Sequence, residues 1–177
     1  MIDNFKVKAA LFNCGSFNTL ESELVNILEK KKIKYYMCAK ELNTSNYKLK
    51  FLNTNIYSDE NNNSLVIYLN YNNYKYLFMG DAGIEREKEI LKRYNLGNVD
   101  FLKVGHHGSD TSSSKDFISS IKPKYSIISV GKNNKYGHPK KVVLDTLNES
   151  TVFRADLNGS IEIKLSKTGY KIKFCTS

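Results

Sequence analysis

The chain has 177 residues, enough for one domain with a real core and too few for a second of similar size. It carries 27 basic against 18 acidic side chains, a formal net charge of +9 that favours anionic partners such as nucleic acid or a membrane surface. No run of 18 apolar residues spans a bilayer, and the N-terminal "MIDNFKVKAALFNCGSFN" lacks the charged, apolar and small-residue regions of a signal peptide, so the polypeptide as given reads as soluble and not self-targeted. An abundance of Lys, Asn, Ile and Tyr also fits an AT-rich coding sequence, so the charge alone does not name a partner. Cys14, Cys38 and Cys175 are odd in number and far apart, without CxxC spacing. They read as buried free thiols rather than as a disulfide framework or a structural zinc site.

In chain order, "KVKAALF" (6–12) predicts a strand. "TLESELVNILEKKK" (19–32) predicts a helix with Leu20, Leu24, Ile27 and Leu28 at helical spacing and Asn18 or Thr19 as cap. "IKYYMCA" (33–39) is strand-like, a polar stretch follows, and "YKLKFLNTNIY" (47–57) alternates in part. "SLVIYLNYNNYKYLFMGD" (64–81) is the clearest hairpin, because two β-branched and aromatic runs flank "YNNY" and Asn tolerates the positive φ of tight turns. The "DENNN" before it (59–63) reads as a loop.

"IEREKEILKRY" (84–94) predicts a charged helix with Ile84, Ile90 and Leu91 on one face, and "VDFLKV" (99–104) a strand. Next come a short helix over 113–121 capped by Ser112 or Ser113, a strand over 124–130, and a helix over 138–149 opened by Pro139. "TVFRAD", "SIEIKL" and "YKIKF" close the chain as strands joined by "LNG" and "KTG" turns. There are no internal repeats and no convincing internal boundary, so one domain over 1–177 of the layered α/β type is expected.

Candidate chemistry gathers where strands end. "FMGDAG" puts Asp81 after one strand, "KVGHHGS" puts His106 and His107 after the next, and "GKNNKYGHP" puts His138 after the third. In α/β sheets the loops at one end of neighbouring strands converge on ligands, which would bring these side chains to one rim. Taken singly, a Gly-Asp after a strand is most often a turn, paired histidines are often solvated, and a His before Pro often sits at a helix start. All three histidines falling on such strand ends is the feature that favours a site. Lys103, Lys115, Lys122, Lys124, Lys132, Lys135, Lys140 and Lys141 cluster around that rim in sequence, where a solvated basic face is the plainer reading.

The strings "LKVGHHGSDTSSS", "ISVGKNNKYGHP" and "FRADLNGSIEI", with the preceding "GD", resemble the C-terminal motifs of the ComEC family of DNA-uptake proteins, in the metallo-β-lactamase-like domain that also occurs in stand-alone hydrolases. The resemblance covers roughly residues 5 to 165. It implies an α/β (α+β) fold, an αββα sandwich, and metal-dependent hydrolysis of DNA phosphodiesters during uptake. It further implies Asp81 as a metal-bridging carboxylate and His106 as a metal ligand, with His107 as second choice or as its supporting partner. His138 and Lys132, with Asp81, would be catalytic. Lys132, Asn133, Asn134, Ser109, Asn63 and Ser64 would contact substrate.

Zinc or manganese would suit such ligands. The superfamily's principal motif, H-x-H-x-D-H or H-x-D-x-D-H, has no counterpart, since no histidine precedes His106. The chain therefore resembles such a domain without its N-terminal portion, and metal binding is expected to be incomplete.

Three functions follow. One is a nuclease when the missing N-terminal half, or the membrane-channel region of a parent protein, is supplied. The second is a non-catalytic DNA- or protein-binding fragment, and the third a lipid- or cell-wall-directed hydrolase sharing the metal site. The location would be the cytoplasm for a stand-alone protein and the outer face of the plasma membrane for part of a ComEC-like channel protein.

Overall fold

The computed structural model describes residues 4–45, 47–52, 54–166 and 169–175. Its centre is a seven-stranded mixed sheet in the order β3 (Glu41–Asn43), β4 (Lys48–Phe51), β5 (Ile67–Tyr71), β6 (Tyr74–Phe78), β7 (Phe101–Lys103), β8 (Tyr125–Ile128) and β9 (Thr151–Arg154). Pairing is antiparallel from β3 to β6 and parallel from β6 to β9. The predicted hairpin is β5–β6, turned at Asn72 and Asn73 with φ of 51° and 64°. Asparagine accepts this left-handed pair at low steric cost, and the turn's twist matches that of the strands.

The period-two alternation gives the sheet two unlike faces. Leu77, Leu102 and Ile128 point to the main core. There they meet Ile90 of α2 (Ile84–Arg93), Phe117, Ile118 and Ile121 of α3 (Lys115–Ile121), and Val143 of α4 (Lys141–Thr146). On the other face Tyr76, Phe101, Tyr125 and Phe153 form a ladder of stacked rings with centroids 4.8–5.7 Å apart. The hairpin of β10 (Ser160–Ser166) and β11 (Gly169–Cys175) covers that ladder, with Tyr170 edge-on to Phe101 at 5.1 Å and Phe174 against Phe153 at 5.0 Å. This is a mixed α/β fold in which helices line one face of a large sheet and a second β-layer meets the other.

The N-terminal β1 (Ala9–Phe12), α1 (Thr19–Lys30) and β2 (Lys34–Met37) form a separate parallel βαβ unit with its own small core of Phe12, Val25 and Leu28. Asn18 caps α1 in a capping box with Glu21. The sequence stripe is corrected here. Leu20 and Ile27 are exposed, and Val25 joins Leu28 inside, because the helix meets only a two-stranded sheet that a narrow stripe covers.

Four other expectations change. Cys14 and Cys38 form a disulfide, with Cα atoms 4.4 Å apart, whereas Cys175 is free and exposed. Parallel pairing of Phe12 with Met37 brings the two strand ends together, which sequence separation concealed. The cap of α3 is Ser114, whose side chain accepts from the Phe117 N–H, rather than Ser112 or Ser113, which are buried. Pro139 precedes α4, which starts at Lys141. A four-residue α5 (Ala155–Asn158) occupies the "LNG" region, while Lys167 and Thr168 of the "KTG" turn lie outside the described residues.

Candidate active site at the C-terminal rim of three parallel strands

Parallel pairing of β6, β7 and β8 sends their C-terminal ends to one edge of the sheet. Asp81 follows β6, His106 and His107 follow β7, and the 131–138 loop follows β8. Each loop is tightly tied. Gly80 adopts φ +60°, and a Cβ there would lie 2.9 Å from Ser64 Cβ, so glycine is required for the turn that presents Asp81. The Asp81 N–H donates to Ser64 Oγ at 3.0 Å, and the Gly83 N–H to Asn62 Oδ1 at 3.0 Å. Asn63 ties the 57–64 segment that carries Ser64 through paired bonds with the Tyr57 backbone, while its carbonyl accepts from Asn13 Nδ2 at 2.7 Å. Ser64 therefore supports Asp81 directly, and Asn63 holds the segment that presents Ser64.

His106 and His107 have φ of 44° and 55°, and Gly108 follows at 82°. Three successive left-handed residues make a compact turn at a cost of order 1 kcal/mol for each non-glycine residue. A Cβ on Gly108 would meet Pro139 Cβ at 2.6 Å, which packs this turn against the third loop. The His106 N–H donates to the Gly80 carbonyl at 3.0 Å, joining it to the Asp81 loop.

The histidines then diverge. His107 Nδ1 donates to the Ser129 carbonyl at 2.6 Å, which leaves Nε2 to face Asp81 Oδ1 at 3.5 Å. An unprotonated Nε2 and a carboxylate both offer electron pairs, so their approach calls for a cation between them or a proton on the ring. Ligand bonds of about 2.0–2.2 Å at a tetrahedral angle span roughly 3.4 Å, so the pair has the bite of two adjacent metal ligands. His106 Nδ1 instead hydrogen-bonds Thr111 Oγ1 at 3.1 Å, and its ring lies 6.1 Å from that of His138. His106 and Asp81 line one cleft with Thr111 and Asn62, whereas His107 and His138 line the neighbouring one.

Among the described residues no group of three or more His, Cys, Asp or Glu side chains could hold a metal ion. Asp81 with His107 suits a divalent cation, but two ligands fall short of the three or four protein ligands that hold one firmly.

The surroundings are electropositive. Lys103 Nζ lies 3.4 Å from the Gly80 carbonyl, and burial pushes its ammonium below the usual lysine range, with Asp81 opposing that shift. Burial and then Lys140 hold His138 below the ordinary imidazole value, so it is neutral at pH 7. Its Nδ1 is buried without a hydrogen-bond partner among the described residues. Asn134 clamps the His138 backbone, accepting its N–H and donating to its carbonyl, both at 2.8 Å.

Of the remaining candidates, Lys132 and Asn133 stand exposed on the third loop. Ser109 is buried and bonds Thr111 Oγ1 at 3.0 Å, which makes it part of the scaffold around His106. Lys122 and Lys124 lie at the opposite end of β8 and, with Lys115, line a different cavity of about 640 Å³. Thr111 and Asn62 were not among the residues singled out from sequence. The only hint was their place inside the "GSDTSSS" and "NNNS" strings.

Residues 28–132 match the metallo-β-lactamase superfamily. The chain is similar to ComE operon protein 3 of Bacillus subtilis (strain 168), at 39% identity over 109 residues, 60% of this chain and 14% of that protein. It is 32% identical over 117 residues to Competence protein ComA of Neisseria gonorrhoeae, covering 64% and 17% of the two chains. It is also 32% identical over 116 residues to Recombination protein 2 of Haemophilus influenzae, covering 64% and 14%. The matches thus span about one-sixth or less of the length of these curated relatives. Among solved structures, a metallo-β-lactamase superfamily protein from Thermotoga maritima superposes at a TM-score of 0.43 and 15% identity, over 83% of this chain and 80% of that one, too distant to carry an argument.

Proposed function

The chain belongs to the metallo-β-lactamase superfamily, and on that footing we propose that it engages the phosphodiester backbone of DNA at the Asp81–His107–His138 rim, as the hydrolytic part of a ComEC-like DNA-uptake protein. The observation that carries this reading is the Asp81–His107 pair, in which the Ser129 carbonyl holds the ring so that Nε2 faces Asp81 Oδ1 at 3.5 Å. Members of the superfamily usually bind divalent metals. Similarity to a competence protein and to a recombination protein points to DNA rather than to lipid or cell wall. A net charge of +9 supports attraction of a polyanion.

The chain's own residues have definable tasks. Lys103 places a half-buried lysine near Asp81, where its ammonium can offset a phosphate's charge. Neutral His138 can exchange a proton with an ester oxygen or orient it. Asn134 fixes the loop that carries His138. Cleavage requires ligands beyond the two gathered here, contributed by another segment or chain. The Cys14–Cys38 disulfide supports an oxidising compartment and hence the outer side of the membrane. No helix among the described residues is long and apolar enough to cross a membrane.

A second reading, a DNA-binding module without catalysis, is favoured by the two-ligand limit. One experiment separates them. The purified chain is assayed with manganese or zinc on single-stranded and duplex DNA, alone and joined to the segment that supplies the remaining ligands. The expected result is salt-sensitive binding with little or no cleavage alone, cleavage in the completed protein, and loss of both metal binding and cleavage on Asp81→Ala in the latter. Robust metal-dependent turnover by the chain alone would overturn the incomplete-site argument. An inactive completed protein that still binds DNA would establish the binding module.

A further inference from the structure

The third loop carries a residue to which neither reading gives a task. Tyr136 is 67% exposed. Large aromatic side chains normally bury most of their area, so one held out on a braced loop needs a reason. The loop is braced. Asn134 bonds the Gly131 carbonyl and clamps His138 at both backbone groups, and Lys140 Nζ donates to the Tyr136 carbonyl at 2.9 Å.

One face of the Tyr136 ring lies nearly parallel to His138, at 17° with centroids 5.9 Å apart. Lys135 Nζ stands over the ring, 5.8 Å from its centroid, where an incoming base would displace it towards the adjoining phosphate. Beside this stack opens a cavity of about 430 Å³, lined by His107, Ser129, Val130, Tyr136 and His138. The space next to Gly131 is clear to 4 Å.

A flat aromatic surface, an apolar valine and an exposed lysine ammonium beside the proposed DNA-binding rim match the parts that hold an unpaired base. Base–aromatic stacking is tolerant of sequence, and the lysine serves the adjoining phosphate. A base inside a duplex has both faces covered and cannot use such a platform. Resting on the DNA reading above, we infer that Tyr136, stacked on His138, is the platform for an unpaired nucleobase next to the phosphodiester, so that the site takes single-stranded rather than duplex nucleic acid. Lys135 contributes charge and Tyr136 contributes base recognition, and the two are separable.

The test is a binding measurement on the intact chain, without turnover. Fluorescence anisotropy is read with a short labelled oligothymidylate, with an oligomer of equal length and charge in which abasic tetrahydrofuran units replace the thymidines, and with a blunt duplex. The wild type should bind the base-bearing strand more tightly than the other two. Tyr136→Ala should weaken that strand roughly five- to a hundred-fold and leave the abasic strand unchanged, with Tyr136→Phe and Tyr136→Trp retaining affinity. Lys135→Ala should weaken the base-bearing and abasic strands alike. Because Tyr136 is exposed, an unchanged thermal melt verifies that each variant folds. Equal affinity of the wild type for base-bearing and abasic strands, or equal losses on both in Tyr136→Ala, would overturn the platform and leave the DNA reading standing. Failure of the wild type to bind any of the three would remove both.

Discussion

At the residue scale, three side-chain atoms are buried without hydrogen-bond partners among the described residues, Arg86 Nε, His138 Nδ1 and Tyr76 Oη, and the last two have different meanings. His138 Nδ1 belongs to the ring that borders the rim cavity together with His107. Tyr76 Oη lies within the aromatic layer between the sheet and the β10–β11 hairpin, away from the rim, and has only a cost. Burial, with Asp100 next, pushes the Tyr76 phenol up to about 12. A folded-state value above the ordinary one near 10 gives stability that is present below pH 10 and lost as pH rises towards 12. Tyr76→Phe removes the unsatisfied hydroxyl and keeps the stacked ring. It should stabilise the protein by up to about 1 kcal/mol at pH 7, and reduce the stability lost between pH 10 and 12. Urea melts of both proteins at pH 7 and pH 11 check this.

At the element scale, α2 shows why the histidine loop holds its shape. Sequence periodicity gave this helix an apolar face of Ile84, Ile90 and Leu91, yet Arg86 and Glu87 are buried with Ile90. Arg86 donates to the Leu52 and Asn55 carbonyls and to Thr54 Oγ1, and Arg93 donates to the Thr54 carbonyl, so the helix clamps the segment after β4. Glu87 reaches the other way. Its two carboxylate oxygens accept the Ser113 and Ser114 N–H groups at 2.5 and 2.9 Å, anchoring the end of the loop that carries His106 and Thr111.

Glu87→Ala leaves one buried and one half-buried donor unpaired, and should destabilise the fold by roughly 2–4 kcal/mol while raising amide exchange across residues 105–114. Burial outweighs those bonds and raises the Glu87 carboxyl above the ordinary carboxylate range. By linkage, its contribution is fully present below the unfolded-state value and declines as pH rises through the raised one. The gap between wild type and Glu87→Ala in urea melts should therefore narrow with increasing pH across that window.

At the scale of the whole molecule, stability is unevenly shared. The main core joins the seven-stranded sheet to α2, α3 and α4, whereas β1, α1 and β2 rest on a separate cluster of three buried residues. That small unit meets the 57–64 loop through polar contacts, including Asn13 to the Asn63 carbonyl and Asn18 to Glu60. The disulfide closes a sequence separation of 24 residues around it. By the chain-entropy estimate such a link contributes about 3 kcal/mol. Replacing Cys14 and Cys38 by serine should cost that order of stability and speed amide exchange in β1 and β2, while β7 and β8 remain protected. Cys175→Ser, at an exposed free thiol, should change neither.

Much of the molecule was legible before folding because its information is local. Periodicity, caps and the Asn-Asn turn are set by neighbours within a few residues, so α1, α2, the β5–β6 hairpin and the alternation of strands and helices follow from the chain. So does the placing of Asp81, His106, His107 and His138 after three successive strands. Contacts between distant segments decided the rest. Only parallel pairing of β1 with β2 brings Cys14 to Cys38. Only the left-handed turn at 106–108, pressed against Pro139, sends His107 towards Asp81 and His106 towards Thr111. Only the fold reveals that Arg86 and Glu87 belong inside, because a buried charge is acceptable where distant backbone groups meet it, and a one-dimensional pattern of apolar residues contains no record of them.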